Sequence, residues 1–451
     1  MSVYDLLIRN GTLVTPLGME VADIAVEAGR LRAIGPQLEG SARAEIDAQG
    51  LHIFPGVIDA HVHFNEPGRT EWEGFATGTR ALAAGGTTTF FDMPLNASPP
   101  TLDAKSFTLK RKAAEASALV DFALWGGLVP ENLSKLEELA ACGVVGYKAF
   151  MSQSGIEDFS SVDDDVLSKG MQQAALLGKL VAVHAEDDLM TSELARKAMA
   201  EGRTGVRDYL GSRPVVAELH AITRAISIAE ETGCALHIVH VSCGSGVALI
   251  AEARERGVDV SCETCPHYLV LTEDDVERLG AVAKCAPPLR ARSEQELLWQ
   301  QVREGNIQLI SSDHSPAPAS MKATDNFFQV WGGISGCQSL LQLLLTEGYV
   351  AREIPLSLLV SLASAAVARR FHIPQKGQLA VGSDADLVFV DLQSQTMLQA
   401  EDLHYRHAHS PFIGRTMRGR VVRTLVRGVT VYQGGVFREG VKGRLLTPGI
   451  A

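Results

Sequence analysis

The chain carries no excess of positive charge, no long apolar run and no paired-cysteine framework, and each shortage closes off a class of function. Its 451 residues include 41 Lys or Arg against 53 Asp or Glu, a formal net charge of −12. A balance of that sign gives no general attraction for nucleic-acid phosphates or anionic membranes, so neither is expected as a partner. No stretch approaches the roughly 20 apolar residues of a membrane span. The opening residues, Met1 to Gly11, lack a basic segment followed by an apolar core, so no secretory leader is expected. Seven cysteines, odd in number and scattered, suit reduced thiols in a cytoplasm. Cys262 and Cys265 stand at CxxC spacing without a second pair at zinc-ribbon distance, so they read as small core residues of a strand. No G-x-G-x-x-G follows a strand, which removes the usual nucleotide anchor.

What is present looks like a large folded protein. Apolar residues make up 46% and charged residues 21%, the usual balance of a globular chain. At this length one large domain plus a smaller one is expected. Residues 1–54 alternate short β-rich runs with turn signals at Asn10-Gly11 and Ala28-Gly29, and the same texture returns over 373–451. The two ends are therefore expected to build one β-sandwich. The arginines at 415, 418, 420, 423 and 427 read as a solvated strand face or a subunit contact.

Between the ends, residues 55–372 alternate apolar strands with amphipathic helices. Strands are expected near residues 57–63, 87–92, 121–127, 144–151, 180–185, 235–242, 258–263 and 307–313. Eight strand–helix units over this span are the count of an α/β (β/α)₈ barrel, whose functional groups gather at the strand C-terminal ends.

The first of these strands ends in His61-Val62-His63, and side chains at i and i+2 of a strand point the same way. Lys148 lies in the otherwise uncharged fourth strand, His184 ends the fifth, His240 the sixth and Asp313 the eighth. So many ionisable groups on apolar strands are costly to bury unless they pair with one another or with a cation. Imidazole and carboxylate ligands suit zinc, with manganese or cobalt as alternatives.

An ammonium beside such cations would be repelled. A desolvated Lys148 shifts to the neutral amine, which can take up carbon dioxide and become a carbamate able to bridge two ions. His61, His63 and Asp313 would then hold one divalent ion, and His184 and His240 the other. A hydroxide between the two ions would attack an amide carbonyl, with Asp313 as general base and then acid toward the departing nitrogen. Hydrolysis of a C–N bond is the expected class.

At these residues the chain resembles the cyclic amidohydrolases of the amidohydrolase superfamily, which include dihydroorotase, dihydropyrimidinase (hydantoinase) and allantoinase. The likeness runs from Phe54-Pro55-Gly56 through His61-Val62-His63, Asp92 to Asn96, Tyr147-Lys148-Ala149-Phe150, Cys265-Pro266-His267-Tyr268 and Ser312 to Pro316. It implies the barrel with a flanking β-sandwich, a binuclear metal centre, a carbamylated Lys148 and a homotetramer. It also implies substrate contacts at Asn96, Ala286 and Gly332. Asn65 stands where dihydroorotases carry a carboxylate-gripping arginine, and Gln153 where dihydropyrimidinases carry a carbonyl-polarising tyrosine. The wording around His63 to Arg69, Cys262 to Tyr268, Lys284 to Arg290, Trp331 to Ile334 and Tyr405 to Phe412 is most similar to the allantoinase branch. The resemblance thus implies ring-opening hydrolysis of the cyclic ureide allantoin to allantoate. Hydantoinase, dihydropyrimidinase or dihydroorotase activity is the alternative, and a non-catalytic scaffold the remote one.

Overall fold

The computed structural model describes residues 3–449. The eight barrel strands are Val57–Val62, Thr87–Asp92, Asp121–Leu124 continuing in Gly126–Gly127, Tyr147–Phe150, Val181–His184, Leu236–Ile238, Val260–Thr264 and Leu309–Ile310. They pair in parallel in this order. A bridge between Val62 and His314 closes the ring, and His63 N donates to His314 O at 2.8 Å.

Every residue of the first seven strands is buried, as strands covered on both faces require. Amphipathic helices wrap the outside, among them Phe75–Ala84, Ala104–Ser117, Asp164–Leu176 and Val215–Thr232. Asp103 and Asp163 cap the second and third of these by accepting from Ser106 N and Val166 N. The expected eighth strand is longer than the observed Leu309–Ile310, because the chain leaves the ladder to present Asp313 at φ 44°.

Both chain ends join in one nine-stranded sheet. Val3–Thr15 is its pivot: its first half pairs with Ser41–Asp47, and its second half with His52–Pro55, which in turn pairs with Leu387–Met397. Leu6, Ile8, Ile24 and Ile53 from one end pack with Leu387, Phe389 and Leu425 from the other. Of the five C-terminal arginines, Arg420 is exposed and the other four are partly buried, two of them in ion pairs. Arg427 is 15% exposed and pairs with Asp121 of the barrel, and Arg415 pairs with Glu347 at 2.7 Å. A carboxylate buried at the start of a barrel strand draws Arg427 inward.

Candidate active site

The mouth of the barrel brings together side chains from five strands. His61 sits one residue before the first strand ends, and His63 just past it. Their Nε2 atoms lie 3.2 and 3.4 Å from the same oxygen, Asp313 Oδ1. These three residues offer ligand atoms close enough to share one cation. His240 lies next to His61, with ring centroids 5.4 Å apart, and its Nε2 is 3.1 Å from His184 Nδ1. The four imidazoles therefore form an unbroken arc.

His240 and Asp313 both adopt the left-handed backbone region, at φ 39° and 44°. Such backbone costs on the order of 1–3 kcal/mol per residue and is kept where the surroundings impose it. Here it turns each side chain back over the strand ends.

Lys148 lies fully buried in the fourth strand, with Nζ 4.6 Å from the centre of the Phe150 ring and no hydrogen-bond partner. Burial lowers its pKa to about 7, so a large share of the amine is neutral near neutral pH. The Phe150 ring also stacks on His184, with centroids 4.6 Å apart. Burial works against ionising Asp313, but His61 and His63 overcome it and hold the carboxyl down at about 2.

Three carboxylates that orient this arc are not apparent from the histidine spacing. Glu263 of the seventh strand accepts from His61 Nδ1 at 2.5 Å, which fixes the tautomer and turns the Nε2 lone pair toward Asp313. Glu186 does the same for His184 through Nε2 at 2.8 Å, leaving Nδ1 to face His240. Arg213 pairs with Glu186 from outside. Burial opposes ionising Glu186, but Arg213 and His184 hold it at about 2. Asp59, whose pKa burial raises to about 6, accepts from the backbone N of His61 at 3.3 Å and of Ser312 at 3.0 Å. The readable signal was a lone acid inside an apolar strand, as with Glu263 in Val260–Thr264, or two residues after a strand-end histidine, as with Glu186.

The other expected residues fall around the same opening. Asn96, Ala286 and Gly332 line the cleft with His61, His63, His184, His240 and Asp313. Asn96 is 4% exposed at φ 65°, and Gly332 faces open space. Gln153 also lines the cleft, whereas Asn65 is buried behind it, donating to Pro316 O at 3.4 Å. His237 lies behind the arc, bonding Ser261 Oγ at 2.8 Å and reaching Glu263 Oε2 with its Nε2 at 3.4 Å. His267 is buried and its Nε2 has no partner.

The amidohydrolase family model matches residues 52–431. The chain belongs to the amidohydrolase family. Among its relatives, this amidohydrolase is 60% identical to the allantoinase of Rubrobacter xylanophilus, covering 99% of this chain and 98% of that one. It is 53% identical to the allantoinase of Solibacter usitatus, over 98% and 96% of the two chains. In structure it is similar to the L-hydantoinase (dihydropyrimidinase) of Arthrobacter aurescens, with a TM-score of 0.96 at 37% identity, covering 98% of this chain and 100% of that one.

Proposed function

We propose that this chain opens the ring of allantoin by hydrolysis to give allantoate, with two divalent cations as cofactors. The observation that carries the reading is the cleft itself. Four imidazoles and one ionised carboxylate line it, the partly neutral amine of Lys148 lies buried beside them, and no other lysine or arginine stands in its wall. A carboxylated ring such as dihydroorotate would find no cationic side chain in the cleft wall to grip. The full-length likeness to allantoinases supports the ureide as substrate.

The donor set fits a binuclear centre. Lys148 Nζ is a buried polar atom without a partner, costing about 1–3 kcal/mol unless something binds it, and the Nε2 atoms of His61 and His63 meet Asp313 Oδ1 at 3.2 and 3.4 Å. In this reading His61, His63 and Asp313 would hold one cation, His184 and His240 would hold the other, and Lys148, once carbamylated, would supply a further anionic ligand. Lys148, buried and with its pKa lowered to about 7, offers a neutral amine fraction suited to take up carbon dioxide. Imidazole and carboxylate ligands favour zinc, with manganese or cobalt as substitutes. When bound, such a pair lowers the pKa of water and polarises a carbonyl.

The protein's own groups supply the rest. Asp313, kept ionised by His61 and His63, takes the proton from the attacking water and passes it to the departing ring nitrogen. Glu263 and Glu186 hold His61 and His184 in the tautomers that aim them inward. Asn96, Ala286 and Gly332 position the ring from the side, the last two through backbone groups. We further place the enzyme in the cytoplasm, where its seven thiols are stable, and as a homotetramer. The exposed Leu17, Met19 and Val21 of the nine-stranded sheet are candidate contacts for that assembly.

A second reading, hydrolysis of hydantoins or dihydropyrimidines, is favoured by the fold likeness to hydantoinases. Assay of metal-loaded protein with allantoin, hydantoin, dihydrouracil and dihydroorotate separates the two. Allantoin is expected to be turned over fastest, and strong turnover of dihydrouracil with none of allantoin would refute the proposal.

A further inference from the structure

We infer that Arg290 is a positioning residue for one half of the centre: through Ser242 and Arg213 it holds His240 and His184 in place, and so sets the affinity for the second cation separately from the first. This rests on the binuclear reading above and adds to it the group that assembles the His184–His240 half.

Arg290 and Glu218 form an ion pair that is 7% and 2% exposed, with Nη2 and Oε2 2.8 Å apart. Taking two such charges out of water is costly unless their remaining bonds are also made. Here they are. Arg290 Nε donates to Ser242 Oγ at 2.8 Å, Nη1 to the carbonyl oxygen of Arg213, and Nη2 to Glu218. Glu218 spends both oxygens on Ser242, Oε1 accepting from its backbone N at 2.8 Å and Oε2 from its hydroxyl. A planar guanidinium with a fixed fork of donors can span three segments in this way, whereas an ammonium acts as a single point.

Two routes lead from this pair to the ligand histidines. Ser242 stands two residues beyond His240, and Val241 between them is pinned to the seventh strand: its N donates to Glu263 O and its O accepts from Thr264 Oγ1, both at 2.8 Å. With Ser242 clamped on the other side, the chain after His240 is fixed from both flanks. That imposes the left-handed turn at φ 39° and keeps His240 Nε2 at 3.1 Å from His184 Nδ1. The second route runs through Arg213, whose carbonyl is held by Arg290 while its side chain pairs with Glu186, the partner of His184 Nε2 at 2.8 Å. The helix Val215–Thr232, which carries Glu218, is tied to the same place, because Asp187 N donates to Ala217 O at 3.1 Å.

The other half is built without these residues. His61 is held by Glu263 and Asp59, and His63 meets Asp313. The side-chain bonds of Arg290 and Glu218 end on Ser242, Arg213 and each other, and none reaches the first strand or Asp313. Loss of the Arg290 fork therefore loosens one pair of imidazoles and leaves the other pair in place.

The test is a zinc titration of Arg290→Lys in bicarbonate, read as the dissociation constant of each ion. This variant keeps a positive charge opposite Glu218 but cannot reach all three acceptors. The second ion is expected to bind about tenfold more weakly than in wild type, with the first ion unchanged. Anomalous diffraction at limiting zinc should then place the remaining ion among His61, His63 and Asp313. A general loosening of the fold would weaken both ions alike, so equal weakening of the two, or no weakening of either, would overturn the inference. Ser242→Ala removes only the hydroxyl between Arg290 and Glu218 and leaves the ion pair; it should weaken the second ion selectively by a smaller factor. If Arg290→Lys does not fold, Ser242→Ala decides by the same criteria. Wild-type protein that bound no zinc, or that hydrolysed hydantoin but not allantoin, would instead bring down the proposed function, a result seen without any variant.

Discussion

The barrel buries a cluster of charge at each end, and the two are built on opposite terms. At the closed end Asp121, on the first residue of the third strand, meets Asp384 and Asp386 near the C-terminal part of the sheet. Lys376 Nζ sits among them at 2.7, 2.9 and 2.7 Å, and Arg427 completes the set. The three carboxylates are close enough to hold a cation, and the cation they hold is a lysine. No buried polar atom of these five residues lacks a partner. At the open end, His63, Lys148 and His240 each keep a buried atom unpaired. Buried charge by itself therefore does not mark a site. Unspent bonding capacity at the C-terminal ends of the strands does, while the satisfied cluster at the other end locks the barrel to its sheet.

The largest expected effect is at the open end. Lys148→Ala should cost activity by roughly three orders of magnitude and bound metal with it, while leaving thermal stability near wild type. Short carboxylic acids added to this variant should partly restore both. Wild-type rate and metal content in the variant would remove Lys148 from the centre.

At the closed end the consequences reverse. Lys376→Met leaves three buried carboxylates without their cation and should destabilise the fold by about 3–5 kcal/mol, with the folded fraction keeping its activity per bound metal. The pH dependence sharpens the contrast. Burial opposes the charge on Lys376, but Asp386, Asp121 and Asp384 outweigh it and raise its pKa above the ordinary 10.5. A raised pKa on a base means stabilisation present in full below 10.5 and lost as pH climbs through the folded value. Denaturant titrations of wild type and Lys376→Met should thus differ by a constant amount at neutral pH and converge in strong alkali. A gap that widened with pH would contradict this account.

A smaller effect belongs to the carboxylates that orient the histidines. Glu263→Gln keeps the size of the side chain but weakens its hold on the His61 tautomer, and should lower metal affinity about 10–100-fold at nearly unchanged stability. Metal titration against a chelating dye reads this directly, and unchanged affinity would reduce Glu263 to packing.

The contrast also explains what the sequence made legible. Strand periodicity located the barrel because its strands are buried on both faces and read as apolar runs. The sheet was located through short β-rich runs between turn signals, since strands such as Ser41–Asp47 are largely exposed. The histidines stood out since each closes such a run. Glu263 and Glu186 were missed because both act through a histidine rather than at the opening. Arg427 was misjudged because its partner, Asp121, lies about 300 residues away in the chain, and only the fold brings them together. The short eighth strand reflects the left-handed turn at Asp313, a backbone choice that side-chain pattern does not encode.

The most direct test of the central claim is elemental analysis paired with intact mass spectrometry of the enzyme prepared in bicarbonate. Two divalent ions per chain, together with a mass increase of one carbon dioxide that disappears in Lys148→Ala, is the predicted result. A catalytically active chain with no bound metal and an unmodified Lys148 would contradict it.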